Sequence, residues 1–275
     1  MNGAKNFSGS ARARQRTIGI DEERKVAASA EPRRERSEGI SRLANHGLSE
    51  RLLYRDGLML VVDKPAGIPV HAGPRGGPNL EAGFDALRFG LPRPPALAHR
   101  LDRDTSGCLV LGRHPKALRR LGRLFAEGKI EKVYWAVVAG VPAEPHGTID
   151  APLRKETHRA GWRMEVDLAG QRAVTEYRVL GSAEGRAWLE LRPRTGRTHQ
   201  VRVHCAALGC PVVGDTAYGG PAGLPLQLHA RAIAIPLYPA KPPIQVVAPV
   251  PPHMLAALAR LGYDPARDTH EAVIA

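Results

Sequence analysis

The run His99-Arg100-Leu101-Asp102-Arg103-Asp104-Thr105-Ser106-Gly107 gathers carboxylates, cations and hydroxyls between a proline-rich stretch, Pro92 to Pro95, and an apolar segment. Asp102 stands between two arginines, and an ionised carboxylate in such a place can serve as a nucleophile. Taken alone, the same pattern also describes a surface Asp in an Arg-rich turn. A second cluster, Arg194 to His204, mixes three arginines with two histidines. His71, His99, His199, His204, Cys205 and Cys210 invite a metal reading, but the spacing is wrong for one. Cys205 and Cys210 are separated by four residues with no second pair, and His199 and His204 lack an H-E-x-x-H arrangement. A packed helix with satisfied histidines is expected instead, with no metal. Glycine patterns of the Rossmann or P-loop kind are missing, and Gly73 to Gly77 is too Pro-rich and poorly placed for a phosphate loop, so no nucleotide cofactor is expected.

These residues need a scaffold, and the pattern from Leu48 onward is that of a mixed α and β domain. Leu58–Val62 reads as a short strand closed by the turn Asp63-Lys64-Pro65-Ala66-Gly67. Gly107–Gly112 reads as a buried strand. Pro115 opens a helix with Leu118, Leu121, Leu124 and Phe125 on one face and Gly128 just past its end. The opposite face carries Lys116, Arg119, Arg120 and Arg123. Lys132–Ala139 alternates, Val133, Trp135 and Val137 against Tyr134, Ala136 and Val138. Further strands are expected at Arg172–Leu180, Ala187–Leu191 and Gln227–Ile235, a helix through Val201 to Leu208 ending at Gly209, and a last helix from Pro252 to Leu261. Strands outnumber helices and connections are short, which favours α+β over a doubly wound sheet.

Composition narrows the partner. The chain has 275 residues and a formal net charge of +13, and of its 40 basic residues 32 are Arg and 8 are Lys. Arg makes planar, two-pronged contacts with phosphate and stacks on bases, so the balance suits a polyanion, although a genome rich in Arg codons gives the same bias. Residues 1–46 carry ten basic and six acidic residues and few large apolar ones, and are expected to form a disordered basic arm ahead of a domain spanning 47–275. Three cysteines make no disulfide framework, no apolar run approaches a membrane span, and the first sixteen residues lack a secretory apolar region. A cytoplasmic protein is expected.

Four ordered stretches then point to one family. His99 to Gly107 closely resembles the signature of the RluA family of RNA pseudouridine synthases. Leu60-Val61-Val62-Asp63-Lys64-Pro65-Ala66-Gly67 is similar to that family's early strand and turn, and Lys132-Val133-Tyr134-Trp135-Ala136 to its K-x-Y-x-A strand. Arg194 to His204 resembles the family's G-R-T-H-Q-[LIV]-R-x-H segment, followed by Gly214-Asp215 and Tyr218-Gly219. The resemblance runs from about Leu52 to Leu237.

The resemblance implies a mixed, largely antiparallel sheet flanked by helices, and an isomerase that turns uridine in RNA into pseudouridine without a cofactor. It makes Asp102 the catalytic residue, attacking the ribose or taking a proton from it, Arg197 its ion-pair partner, and Tyr134 the ring against the flipped base. Val201 would form the aliphatic wall of the base pocket, where the family usually has Leu or Ile. Arg100 would fill the space left by the base or touch phosphate, and His99 and Arg202 complete the expected RNA-contacting set. The chain is expected to act as a monomer, on ribosomal or transfer RNA, away from membranes. Two rivals remain. A glycosylase needs a second carboxylate, and Asp104, two residues on, is the only close one. An RNA-binding protein without catalysis would have no need of Asp102, Tyr134 and Arg197 together.

Overall fold

Strict alternation along the strand Glu131–Ala139 divides the protein into two apolar faces. Val133, Trp135 and Val137 join one buried cluster, while Ala136 and Val138 join another with Tyr134 against it. The computed structural model describes residues 47–73, 76–158 and 161–268. The arm expected at 1–46 lies outside the described residues, and Leu48, at 1% exposure, is already part of the core.

The strands, in chain order, are β1 (Leu52–Arg55), β2 (Met59–Lys64), β3 (Ala96–Leu97), β4 (Ser106–Gly112), β5 (Glu131–Ala139), β6 (His146–Asp150), β7 (Leu153–His158), β8 (Gly161–Val166), β9 (Val174–Ala183), β10 (Arg186–Pro193), β11 (Leu228–Ile235) and β12 (Ile244–Val247). Ten of them form one sheet in the order β1-β2-β4-β11-β5-β10-β9-β6, with β12 beside β11 and β3 beside β4; β7 and β8 form a separate hairpin. Among these strands all pairings are antiparallel except β4 with β11. The fold is therefore α+β with a mixed, largely antiparallel sheet.

Among the described residues three α-helices cover it: α1 (Pro115–Ala126), α2 (Gln200–Ala207) and α3 (Pro252–Arg260). Met254 and Leu258 of α3 pack in the cluster of Val133, and Leu121 of α1 packs in a neighbouring cluster with Ile233. Val201 and Cys205 of α2 pack on the Tyr134 face. Helix α1 starts as its sequence requires. His114 Nδ1 accepts the N–H of Ala117 at 3.2 Å, and Pro115 occupies the first turn, where it forfeits no helical hydrogen bond. Helix α2 follows Pro193 through a short loop, so the run 194–204 is half loop and half helix.

The single parallel contact fixes the position of the Asp102 loop. Ser106 and Gly107 pair with His229 and Ala230, and Gly107 has φ +105, with a Cβ at that position falling 2.2 Å from the carbonyl oxygen of Ala230. Only glycine permits that approach. It anchors β4, and hence the loop carrying Asp102, against the middle of the sheet.

Candidate active site

Asp102 sits in the loop between β3 and β4 and lines a cleft of about 960 Å³ on the α2 face of the sheet. The turn at 63–67 grips this loop. Lys64, wholly buried, donates from Nζ to the carbonyls of Pro65, Arg103 and Thr105 at 2.9, 2.8 and 2.8 Å. Gly67 N donates to Arg103 O at 3.0 Å, and Arg103 Nε donates back to Gly67 O at 3.1 Å. The D-K-P-A-G stretch thus has a mechanical purpose, which is to set the backbone on either side of Asp102.

Burial pulls the Lys64 ammonium down to about 7, against the opposing attraction of Asp104, Asp102 and Asp63. An unfolded lysine titrates near 10.5. Between those values the unfolded chain binds more protons than the folded one, so stability must rise with pH across the window and level off below about 7. Urea unfolding of the wild type and a Lys64→Met variant from pH 7 to 10 tests this. The difference in unfolding free energy between them should grow as pH rises, on top of a loss from the three carbonyls left without a donor.

The partner of Asp102 comes from the first turn of α2, and it is Arg202. Arg202 Nη1 lies 3.3 Å from Asp102 Oδ2, while Nε and Nη2 make a two-pronged bond to Asp215 at 2.7 and 2.8 Å. The Asp215 carboxylate is 1% exposed and Arg202 is 13% exposed. Burial works against the Arg202 charge, but the hydrogen bonds and charges of Asp215 and Asp102 outweigh it and raise its pKa, so it stays a guanidinium. Asp215 holds the fork in place, and the fork presents one N–H to Asp102.

Arg197 corrects the expectation. It lies on the exposed loop ahead of α2, with Nε donating to the carbonyl of Arg172 at 3.1 Å and its backbone N–H donating to Gln200 Oε1 at 2.9 Å. It lines the cleft but does not pair with Asp102. The reason is local geometry. The chain turns at His199, whose φ of 53° and ψ of 16° are left-handed, and only after that turn does the helix direct a side chain, Arg202, toward Asp102. Gln200 locks this turn: buried, it accepts from Thr195 Oγ1 at 2.7 Å and donates to Val174 O at 3.0 Å and Thr175 Oγ1 at 2.9 Å. Lys132 Nζ adds a bond to Thr195 O at 2.8 Å.

Tyr134 projects from β5 into the cleft and packs against the cluster containing Val201. Burial, helped by the charge of Asp102, raises its phenol pKa, so it remains protonated. Val201 is 7% exposed and forms an aliphatic part of the cleft lining. Arg100 is exposed at the cleft edge, where it can meet a polyanion. His99, of the expected RNA-contacting set, lines the cleft and is also tied into the fold. Its Nε2 accepts the N–H of Val110 at 3.0 Å, its ring stacks on Phe125 at 4.6 Å, and burial pulls its pKa to about 3. It is a neutral ring that braces the cleft wall. Asp104 is exposed and faces Arg103, not Asp102, so the two carboxylates do not make an acid–base pair across the cleft.

The histidines near the cleft are engaged as well. His204 Nδ1 meets Thr175 Oγ1 at 2.9 Å and its Nε2 meets Ala151 O at 3.0 Å, while His199 Nδ1 meets the Tyr218 hydroxyl at 2.7 Å. With these nitrogens committed to protein partners, catalysis is expected to survive thorough chelation under conditions that keep the RNA folded. Loss of activity restored specifically by zinc would contradict this.

The profile described as RNA pseudouridylate synthase matches residues 58–207, which contain Asp102, Tyr134 and Arg202. An uncharacterized RNA pseudouridine synthase of Zymomonas mobilis is 45% identical over 209 residues, covering 74% of this chain and 95% of that protein. The chain belongs to the RluA family of RNA pseudouridine synthases. A mitochondrial pseudouridylate synthase RPUSD4 of Xenopus tropicalis is 32% identical over 294 residues, covering 90% of this chain and 91% of its own. Among solved structures, human RNA pseudouridylate synthase domain containing 4 superimposes with a TM-score of 0.68 at 29% identity, over 81% of this chain and 97% of that one. As an RNA pseudouridine synthase, the chain is an isomerase whose substrate is uridine in RNA. Three residues to which the sequence assigns no role, Lys64, His199 and Asp215, all surround the Asp102 loop. Asp215 is visible in the sequence only as part of the G-D-x-x-Y-G tail, and its partner is not.

Proposed function

We propose that this synthase isomerises specific uridines in ribosomal or transfer RNA, with Asp102 as the nucleophile that meets a flipped-out nucleotide. The observation that carries this reading is the Asp102–Arg202–Asp215 arrangement. One carboxylate is reachable from the cleft, at 26% exposure, and is aimed by a guanidinium that a buried second carboxylate holds in place. In the reaction the bond from uracil N1 to ribose C1′ breaks, the uracil turns, and C5 bonds to C1′. The C5 hydrogen leaves as a proton and N1 gains one, so atoms and electrons balance with no further reactant. Asp102 attacks the ribose or takes a proton from it during the first of these steps.

The target base must leave its stack to reach a carboxylate inside a cleft, at a cost of a few kcal/mol in a duplex and less in a loop. Tyr134 and Val201 line the cleft beside Asp102 and offer an aromatic and an aliphatic surface to the freed uracil. Arg100 and Arg197, exposed at the cleft, suit the flanking phosphates. The protein is proposed to work as a cytoplasmic monomer.

The test is to incubate unmodified transcripts of the host's ribosomal and transfer RNAs with the purified protein and map pseudouridine along each. A small set of sites in one RNA class is expected, and the same sites should be missing from RNA of a deletion strain. Conversion spread evenly over all transcripts, or sites unchanged in the deletion strain, would reject the proposed substrate class.

A further inference from the structure

The segment Gly214 to Gly219 supplies more than Asp215. Tyr218 lies in a 3-10 turn, Thr216–Tyr218, and its hydroxyl joins the β7–β8 hairpin to His199 at the start of α2. The N–H of Met164, in β8, donates to Tyr218 Oη at 3.1 Å. The same oxygen lies 2.7 Å from His199 Nδ1. A backbone amide is an obligatory donor, so toward Met164 the phenol oxygen is an acceptor, and its single proton is left for His199. A neutral imidazole that accepts at Nδ1 carries its own proton on Nε2, because the bond made by one ring nitrogen sets the state of the other. His199 Nε2 lies 3.8 Å from Asp102 Oδ1.

The opposite tautomer is disfavoured twice over. It would leave the tyrosine proton without this acceptor, and it would turn a nitrogen lone pair toward a carboxylate. The imidazole is held neutral: burial lowers its pKa, Asp102 and Asp215 pull the other way, and Arg202 and Arg100 reinforce burial. The ring is also held mechanically. Trp162, near the start of β8, stacks on it with centroids 5.3 Å apart and planes 22° apart, and Lys155 Nζ sits 4.8 Å from the Trp162 ring. The Arg202 guanidinium lies over the Tyr218 ring at 5.0 Å, so the same phenol braces both groups that face Asp102.

We propose that Tyr218 and His199 are positioning residues for Asp102: the hairpin fixes the His199 tautomer that presents Nε2–H to the carboxylate. The inference rests on the reading of Asp102 as the catalytic residue. The 3.8 Å separation is longer than a hydrogen bond and tightens when RNA fills the cleft, as catalytic contacts commonly do. His199 then aims one carboxylate oxygen while Arg202 aims the other.

Tyr218→Phe removes only the hydroxyl and tests the relay in the whole protein. With 15N-labelled histidine, the His199 ring signals are identified by their loss in His199→Asn. The wild type should show the Nε2–H tautomer, and Tyr218→Phe should show a mixture. On an unmodified transcript that the wild type converts, the single-turnover rate of Tyr218→Phe at saturating RNA should fall about tenfold or more, with affinity changed less than about twofold. Trp162→Ala should reproduce the rate loss and Trp162→Phe should restore it, which keeps the proposal testable if Tyr218→Phe folds poorly. An Nδ1–H tautomer in the wild type, or a wild-type rate in Tyr218→Phe and Trp162→Ala, would overturn it. So would losses confined to affinity, which would make Trp162 and Tyr218 RNA contacts. Normal turnover by Asp102→Asn would instead reject the role of Asp102 and leave the tautomer result standing.

Discussion

Asp102→Asn should abolish pseudouridine formation, lowering the single-turnover rate by at least about 10⁴-fold, the scale seen when a nucleophile is removed from a preorganised site. Asn keeps the shape and loses the charge. The surrounding geometry should therefore survive, because Arg202 is held by Asp215 and not by Asp102 alone. RNA affinity should be unchanged or slightly tighter, since a carboxylate near phosphates is repulsive. Rate and affinity measured on the same transcript separate these effects. Substantial turnover in the Asn variant would remove Asp102 from its proposed role.

Arg202→Gln should damage both stability and turnover. It strands the Asp215 carboxylate, 1% exposed, without its two-pronged partner. Breaking a buried pair in this way costs about 3–5 kcal/mol, and the 13% exposure of Arg202 places the expected loss toward the lower end. Turnover should fall by about 10²–10³-fold beyond any effect of unfolding, as when one preorganised donor is taken from an active site. Arg202→Lys keeps the charge but cannot bridge Asp215 and Asp102 with one planar group, so it should rescue little of the rate. Arg197→Lys is the control. On the exposed loop it should shift RNA affinity slightly and leave the saturating rate near that of the wild type. Denaturation midpoints and single-turnover rates for the three variants check this, and a rate loss greater for Arg197→Lys than for Arg202→Lys would return the ion-pair role to Arg197.

The contrast between Arg197 and Arg202 marks where the sequence stops being legible. Both arginines lie in one recognisable run, and their types say that a cation is to be expected near Asp102. Which one reaches it depends on the left-handed turn at His199, a non-glycine residue in a conformation that residue type alone does not announce. Asp102, Tyr134 and Val201 are readable as neighbours only through the family resemblance, and the fold then places Tyr134 of β5 and Val201 of α2 on one sheet face, lining the cleft with Asp102. Asp215 is readable as a carboxylate but not as a clamp, since its partner is thirteen residues away and the bond needs the tertiary fold.

The same holds for the elements. The buried segments β2, β4, β5, β10 and β11 and all three helices fall within a residue or two of the expected ranges, because apolar periodicity is strongest where burial is deepest. The strand expected from Arg172 begins at Val174, since the backbone carbonyls of Arg172 and Ala173 are taken by Arg197 and Ala151. Nothing in the residue pattern announces the β7–β8 hairpin. Most of its residues are exposed, with charged side chains on both faces, so it has no alternation to read. The Met164 bond to Tyr218 and the Trp162 stack on His199 hold it in a place that only the folded chain defines.

The most direct test of Asp102 as the residue that carries the isomerisation uses RNA transcribed with uridine tritiated at C5. It is incubated with the wild type and with Asp102→Asn, then digested to nucleosides. Bond formation between C5 and C1′ must expel the C5 hydrogen, so the wild type should release tritium to water in step with the appearance of an isomer of uridine's mass. No free uracil should form, and Asp102→Asn should yield neither tritium nor isomer. Released uracil with tritium still attached would mean a glycosylase, and pseudouridine formed equally by Asp102→Asn would mean that another residue carries the reaction.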